Sequence, residues 1–330
     1  MSDGLLLILP VLLLILAAEF VNGWHDAANA IATVVSTRVL SPYQALAMAA
    51  VLNILGTMSG TAVATTIGKG IVKPEAINLT TVAAAMVGIV CWNALTWYYG
   101  LPSSTTHALV AGLAGAGLAT AGPEVLLWEG WRKVLIGLVF STFLGFVGAF
   151  WLMVAIYRLF QRNRPGTVKR IFGKLQFLSA AFMAFSHGSN DGQKFMGVFT
   201  LALLLAGALP EFQVPFWVIL ICALTMGVGT AIGGWRIVRT MGLRLTKLEP
   251  VQGFAAETGA ALTIELASRL GIPLSTTHTI STAIMGVGTT RRFSAVRWGV
   301  TMNIVTAWIL TFPVCGLIAW LVTKAFVALP

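Results

Sequence analysis

Two short stretches place hydroxyl groups at what should be helix starts. Residues 100–107 read GLPSSTTH and residues 271–278 read GIPLSTTH. Pro102 and Pro273 are placed to open a helix, because proline gives up no needed hydrogen bond in the first turn. A helix start leaves N–H groups without intrahelical partners and favours negative charge. Ser103, Ser104, Thr105 and Thr106 add hydroxyls to one such start, and Ser275, Thr276 and Thr277 to the other. Each start is then a neutral, donor-rich cradle for an oxyanion, and two of them facing each other would suit a tetrahedral one. The competing reading is plain capping, with the hydroxyls bonding their own backbone. A second copy at the matching place in the other half favours the anion site.

A second pair of stretches carries acids and amides: FVNGWHDAAN from Phe20 and FSHGSNDGQK from Phe185. On a helix, Asn22, Asp26 and Asn29 share one stripe. In the second stretch Asn190 and Asp191 lie beside Gln193. Carboxylate and amide oxygens are ligands for hard cations, sodium included. An Asp in hydrocarbon costs roughly 2.5–3.5 kcal/mol, so it is expected to face a cavity or an ion. The competing reading is hydrogen bonding between neighbouring helices. Glu257, in FAAETGAALTI, is a third cation ligand or proton carrier. Glu19 has two readings, facing the cavity or lying near a helix end. Asn53 and Asn303 are read as packing amides.

All four histidines, His25, His107, His187 and His278, fall in these motifs. The chain has no H-E-x-x-H, no cysteine pair and no His pair at helical spacing, so a zinc enzyme is not indicated. The histidines are expected to support helix ends or bond polar neighbours, with a proton relay as the alternative.

The elements that must hold these residues are membrane helices. The 330 residues are 57% hydrophobic and only 10% charged, with mean hydropathy +0.87. Soluble domains carry about 25% charged residues. The apolar runs are continuous rather than alternating, which argues for helices over a β-barrel. The net charge of +10 sits in the loops, as the positive-inside rule expects, and does not point to nucleic acid. Cys91, Cys222 and Cys315 show no metal or disulfide spacing and read as packing residues. The first apolar run follows Asp3 with no preceding base, and reads as a membrane helix rather than a signal peptide. Clear spans are expected near 4–21, 43–67, 79–99, 132–157, 215–235, 253–270 and 298–323. The stretches 22–40, 101–121, 175–208 and 272–290 are expected to be broken or hairpin helices. Together they make about 10–12 membrane segments.

The paired motifs recur in the same order nearly half a chain apart, with G-T-A at Gly60 and Gly229 as a weaker third pair. This predicts a duplication: repeat 1 over 1–157, a basic linker over 158–174, and repeat 2 over 175–330. The linker carries Arg158, Arg162, Arg164, Lys169, Arg170 and Lys174 and no acid, which places it in the cytoplasm. Both termini are then outside, and the repeats have inverted topology, a pattern common in secondary transporters.

The stretches FVNGWHDAANAIAT, GLPSSTTH, FSHGSNDGQK and GIPLSTTH, with AETGAALT before the last, resemble the inorganic phosphate transporter (PiT) family. The resemblance runs from Glu19 to Gly288. It implies an all-α, inverted-repeat membrane protein that is not an enzyme, works as a symporter of phosphate with sodium or protons, and forms a homodimer. The short linker is similar to that of compact prokaryotic members of the inner membrane. By this resemblance Ser104, Thr105, Thr106, Ser275, Thr276, Thr277, Asn29 and Gln193 are phosphate ligands. Asn22, Asp26, Asn190, Asp191 and Glu257 are cation ligands. No cofactor is implied. Sodium-coupled animal members carry Glu where this chain has Asn53, which leaves sodium and protons both open. The family also holds sulfate permeases, so sulfate is the alternative anion. Readings from other classes are an intramembrane metal hydrolase and a membrane scaffold.

Overall fold

Long apolar runs favour helix, because in lipid a helix satisfies its own backbone. The computed structural model describes residues 3–328, with side chains from Ile8 onward, and no β-strand occurs among them. Twelve α-helices follow in chain order. The first six are α1 (Asp3–Ser36), α2 (Pro42–Thr57), α3 (Ala62–Gly70), α4 (Leu79–Tyr99), α5 (Thr105–Ala121) and α6 (Trp128–Phe160). The second six are α7 (Pro165–Leu205), α8 (Phe216–Ile232), α9 (Trp235–Arg239), α10 (Pro250–Arg269), α11 (Thr276–Thr289) and α12 (Trp298–Ala328).

The two series run in parallel. Each opens on a long helix, continues with a bent pair, a straight helix and a short helix, and closes on a long apolar one. Packing follows the same rule crosswise. α1 packs on α8 and α7 on α2, while α5 packs on α12 and α11 on α6. Among the described residues, four helices are long and apolar enough to cross a membrane, or six if each bent pair counts as one span. α7 and α10 have the length, but α7 carries His187, Asn190, Asp191 and Lys194 and α10 carries Gln252 and Glu257, all buried.

Several expected breaks lie elsewhere. Residues 22–36 and 175–205 are not broken: they are the second half of α1 and most of α7, each continuous. Neither stretch contains proline, and Asn29, Thr33, Asn190 and Lys194 within them find partners on other helices. The breaks fall inside two expected spans instead. α2 and α3 meet at 68° around Gly60, and α8 and α9 meet at 59° at Gly233-Gly234. Gly233 has φ 78, a left-handed conformation that glycine adopts at no steric cost. Of the linker, only 161–164 is irregular, and the rest extends α6 or begins α7.

Two apolar clusters sandwich a polar layer. One contains Ile15 and Ala18 of α1, Ile89 and Leu109, and Phe195 and Phe199 of α7. The other contains Ala28 and Ile31 of α1, Met183 and Ala184 of α7, and Ile264 and Ile284. On both long helices the polar motif lies between the residues of the two clusters. Small residues bring the helices together there: a Cβ on Gly188 of α7 would lie 2.7 Å from Cα of Asn53 on α2. The outer faces of α6 and α12 present Val139, Phe143, Ile309 and Leu317, an apolar coat suited to lipid. Cys222 and Cys315 are buried as packing residues, whereas Cys91 is exposed.

Candidate anion and cation site

The two hydroxyl-rich motifs are built alike. Gly100 (φ 66) and Gly271 (φ 64) end α4 and α10 in left-handed turns. Leu101 N–H bonds to Thr96 O at 2.9 Å, and Ile272 N–H to Ala267 O at 2.8 Å, the longer closing bond of a Schellman turn in both. Irregular backbone then leads to the N-caps Ser104 and Ser275. Pro102 and Pro273 lie within that stretch, two residues before the caps, and do not open the helices as expected. Pro102 O instead accepts from Trp308 Nε1 at 2.9 Å. Ser104 accepts from His107 N–H and Ser275 from His278 N–H, each at 3.2 Å. For these two serines the capping reading holds.

The threonines do something else. Thr105 Oγ1 donates to Asp26 Oδ2 at 2.9 Å, and Thr276 Oγ1 donates to Asp191 Oδ2 at 2.7 Å. Each acid on a long helix thus meets the first threonine of a short helix in its own half of the chain. Asn29 crosses between halves, donating to Thr277 Oγ1 at 2.9 Å and Thr276 Oγ1 at 3.2 Å. Thr106 Oγ1 donates to Leu274 O at 2.9 Å. Asp26, His187 and Asp191 offer ligand atoms within 4.8 Å of one another. The halves therefore converge on one centre, closed to solvent: Asp26 and Asp191 are 2% and 0% exposed.

The remaining expected residues lie around this centre, not in it. Asn22 donates to Glu19 Oε2 at 3.1 Å, and both residues are fully buried. Asn190 turns to α10, donating to Ser268 Oγ at 3.0 Å and Ile272 O at 3.3 Å. Gln193 accepts from Val63 N–H at 3.0 Å and donates to Ser189 O at 2.6 Å. Both ends of its amide are held by main chain, at the bend between α2 and α3. Glu257 forms a separate polar site with Gln176 Nε2 at 3.1 Å, Thr33 Oγ1 and Ser179 Oγ. Thr33 is two helical turns from Asp26, about 10 Å along α1.

The histidines divide into two kinds. His25 Nδ1 lies 2.6 Å from Asp26 Oδ1, and its Nε2 lies 3.0 Å from Thr96 Oγ1. His187 Nδ1 meets Asn53 Oδ1 at 3.1 Å, and its Nε2 stands 3.2 Å from Asp191 Oδ2 without hydrogen-bond alignment. His107 and His278 do not bond polar neighbours through their rings as expected. They stack edge to face at 4.7 Å, and His278 lies on Trp308 at 3.7 Å. Neither ring nitrogen of His278 has a hydrogen-bond partner.

Sequence reasoning missed Lys194. Its ammonium touches Asp191 and Thr106, and donates to Leu274 O at 2.9 Å. The signal was present, since an ionisable residue inside a membrane segment is by default functional. Thr33, Gln176 and Ser179 around Glu257 gave none, being ordinary polar residues far from it in sequence.

Two acids, a fixed ammonium and converging hydroxyl and helix-start N–H donors can hold cations and an oxyanion side by side. The profile of a family described as the phosphate transporter family matches residues 22–319. A probable low-affinity inorganic phosphate transporter of Rhizobium meliloti (strain 1021) is 49% identical over 303 residues, 91% of each chain. One of Bacillus subtilis (strain 168) with the same description is 41% identical, over 94% of this chain and 95% of its own. A solved structure titled the sodium-dependent phosphate transporter superposes with TM-score 0.88 at 25% identity, over 98% of this chain and 100% of that one.

Proposed function

We propose a mechanism for a chain that belongs to the phosphate transporter family: cation-coupled symport of inorganic phosphate by alternating access. The observation that carries it is the pair of acid–threonine units, Asp26 with Thr105 and Asp191 with Thr276, meeting in one closed centre. Phosphate near neutral pH carries about −1.5 to −2 charge. Each charge moved against 100 mV costs about 2.3 kcal/mol, so uptake needs accompanying cations. In this reading Asp26, Asp191 and Glu257 are the buried acids whose charge must be balanced by positive charge during transport. Phosphate enters between the helix starts of α5 and α11, takes the hydroxyls of Thr105, Thr106 and Thr276 from their present acceptors, and receives the hydroxyl of Thr277, which at present only accepts from Asn29.

The crosswise packing of the two series supports an inverted-repeat arrangement, in which one half rocks against the other about the centre. The basic residues between α6 and α7 support a cytoplasmic position for that turn in a prokaryotic inner membrane. The name of the structural neighbour favours sodium over protons as the coupling ion. Assembly as a homodimer is part of the same proposal and rests on family resemblance. The test is uptake by Thr105→Val and Thr276→Val proteins in liposomes. Loss of phosphate affinity supports the site, and unchanged uptake removes it.

A further inference from the structure

Among the described residues, Lys194 is the only Lys or Arg that is buried, at 1% exposure. Its place has a counterpart. Lys194 lies three residues after Asp191, as Asn29 lies three after Asp26. Asn29 reaches Thr277, the second threonine of one S-T-T segment, and Lys194 reaches Thr106, the second threonine of the other. The first threonines, Thr276 and Thr105, hold Asp191 and Asp26. The two halves therefore build one arrangement twice, with a neutral amide in one copy and an ammonium in the other.

The oxygens around the ammonium are of three kinds: a carboxylate of Asp191, a hydroxyl of Thr106 and the main-chain carbonyl of Leu274. That mixed oxygen set is what a hard cation takes. The side chain of Lys194 supplies such a cation covalently. A buried carboxylate left without a counter-charge is strongly unfavourable, so an amide at position 194 would leave Asp191 to a mobile ion. With Lys194 in place, Asp191 is neutralised whether the carrier is loaded or empty. Asp26 has no such partner; its neighbour at Oδ1 is the imidazole of His25.

We propose that Lys194 is a tethered cation that fills the Asp191 half of the centre, so that a coupling ion binds in the Asp26 half alone. The proposal rests on the symport reading above. Its consequence is a coupling ratio one cation lower than the two acids would give if both bound mobile ions.

The test compares wild type with Lys194→Asn, which copies the residue of the other half. Purified full-length protein in liposomes is given labelled phosphate, and the potential that just stops net uptake is measured across a series of sodium gradients and, separately, proton gradients. The proposal predicts that the ratio of cations to phosphate rises by one in the variant. If wild type fails to concentrate phosphate with either ion, the symport reading fails. If wild type concentrates phosphate and the variant keeps its ratio, the tethered cation is refuted. A weaker phosphate affinity at an unchanged ratio refutes it too, because it would make Lys194 a phosphate ligand. A second measurement needs no variant: diffraction from wild-type crystals soaked in thallium salt. Absence of a thallium peak at Asp191 Oδ1 and Leu274 O supports the proposal, and a peak there overturns it.

Discussion

Replacing Thr276 by valine tests whether the hydroxyl serves the acid or the phosphate. The substitution keeps the branched shape and deletes one hydroxyl. That hydroxyl donates to Asp191 Oδ2 at 2.7 Å and accepts from Asn29 Nδ2 at 3.2 Å. Asn29 keeps its second bond, to Thr277 at 2.9 Å, so the main loss is the bond to the carboxylate. A hydrogen bond to a charged group is worth about 1.5–3 kcal/mol net. The empty protein should lose about that much stability, read as an earlier thermal transition. On loading, the same hydroxyl turns to phosphate, another anionic acceptor. Loading exchanges one charged acceptor for another, so the loss of affinity is the difference between the two bonds. Phosphate, with its larger charge, is the stronger acceptor. Since 1.4 kcal/mol is tenfold in a binding constant, half-saturation by phosphate should rise by up to about 10-fold. The assay is the initial rate of labelled phosphate uptake by proteoliposomes against phosphate concentration, with Thr105→Val run beside it. Thr105 makes the matching bond to Asp26 at 2.9 Å, so its variant should move the same way. Lower stability with unchanged half-saturation in both variants would show that the threonines only position the acids and do not bind phosphate.

Asp191→Asn leaves the Lys194 ammonium buried beside a neutral amide; breaking a buried pair costs about 3–5 kcal/mol. The variant should accumulate poorly in membranes, and adding Lys194→Met should restore accumulation but not transport, as shown by blotting and uptake. Gly188→Ala puts a Cβ 2.7 Å from Cα of Asn53, between two backbones. Overpacking of this kind costs about 1–3 kcal/mol, and a lower melting temperature in detergent checks it. Ser179→Ala removes one of three donors to Glu257. If that acid answers to a coupling ion, the cation dependence of uptake should shift while half-saturation for phosphate at saturating cation holds.

Much of the centre was legible because its residue types are costly in lipid. Asp26 and Asp191 stood out against apolar surroundings, and repetition of S-T-T tied them to hydroxyls. What periodicity could not give was the path of the backbone. Gly- and Ser-rich stretches looked like breaks, yet α1 and α7 run through them because the small residues serve crossing helices. The true bends, near Gly60 and at Gly233-Gly234, were hidden in runs whose hydropathy reads as one span. Direction was also hidden. Asn190 and Gln193 lie one and two residues from Asp191, but each residue turns a helix by about 100°, so both point away from its face. Lys194, one turn on, shares the face of Asp191.

Cation-coupled phosphate transport is tested most directly by accumulation of labelled phosphate in proteoliposomes holding the purified protein, under an inward sodium or proton gradient and excess sulfate. At least one gradient should concentrate phosphate inside above the outside level, dissipating it should abolish the excess, and sulfate should not compete. Phosphate that only equilibrates, whatever the gradients, would contradict cation coupling.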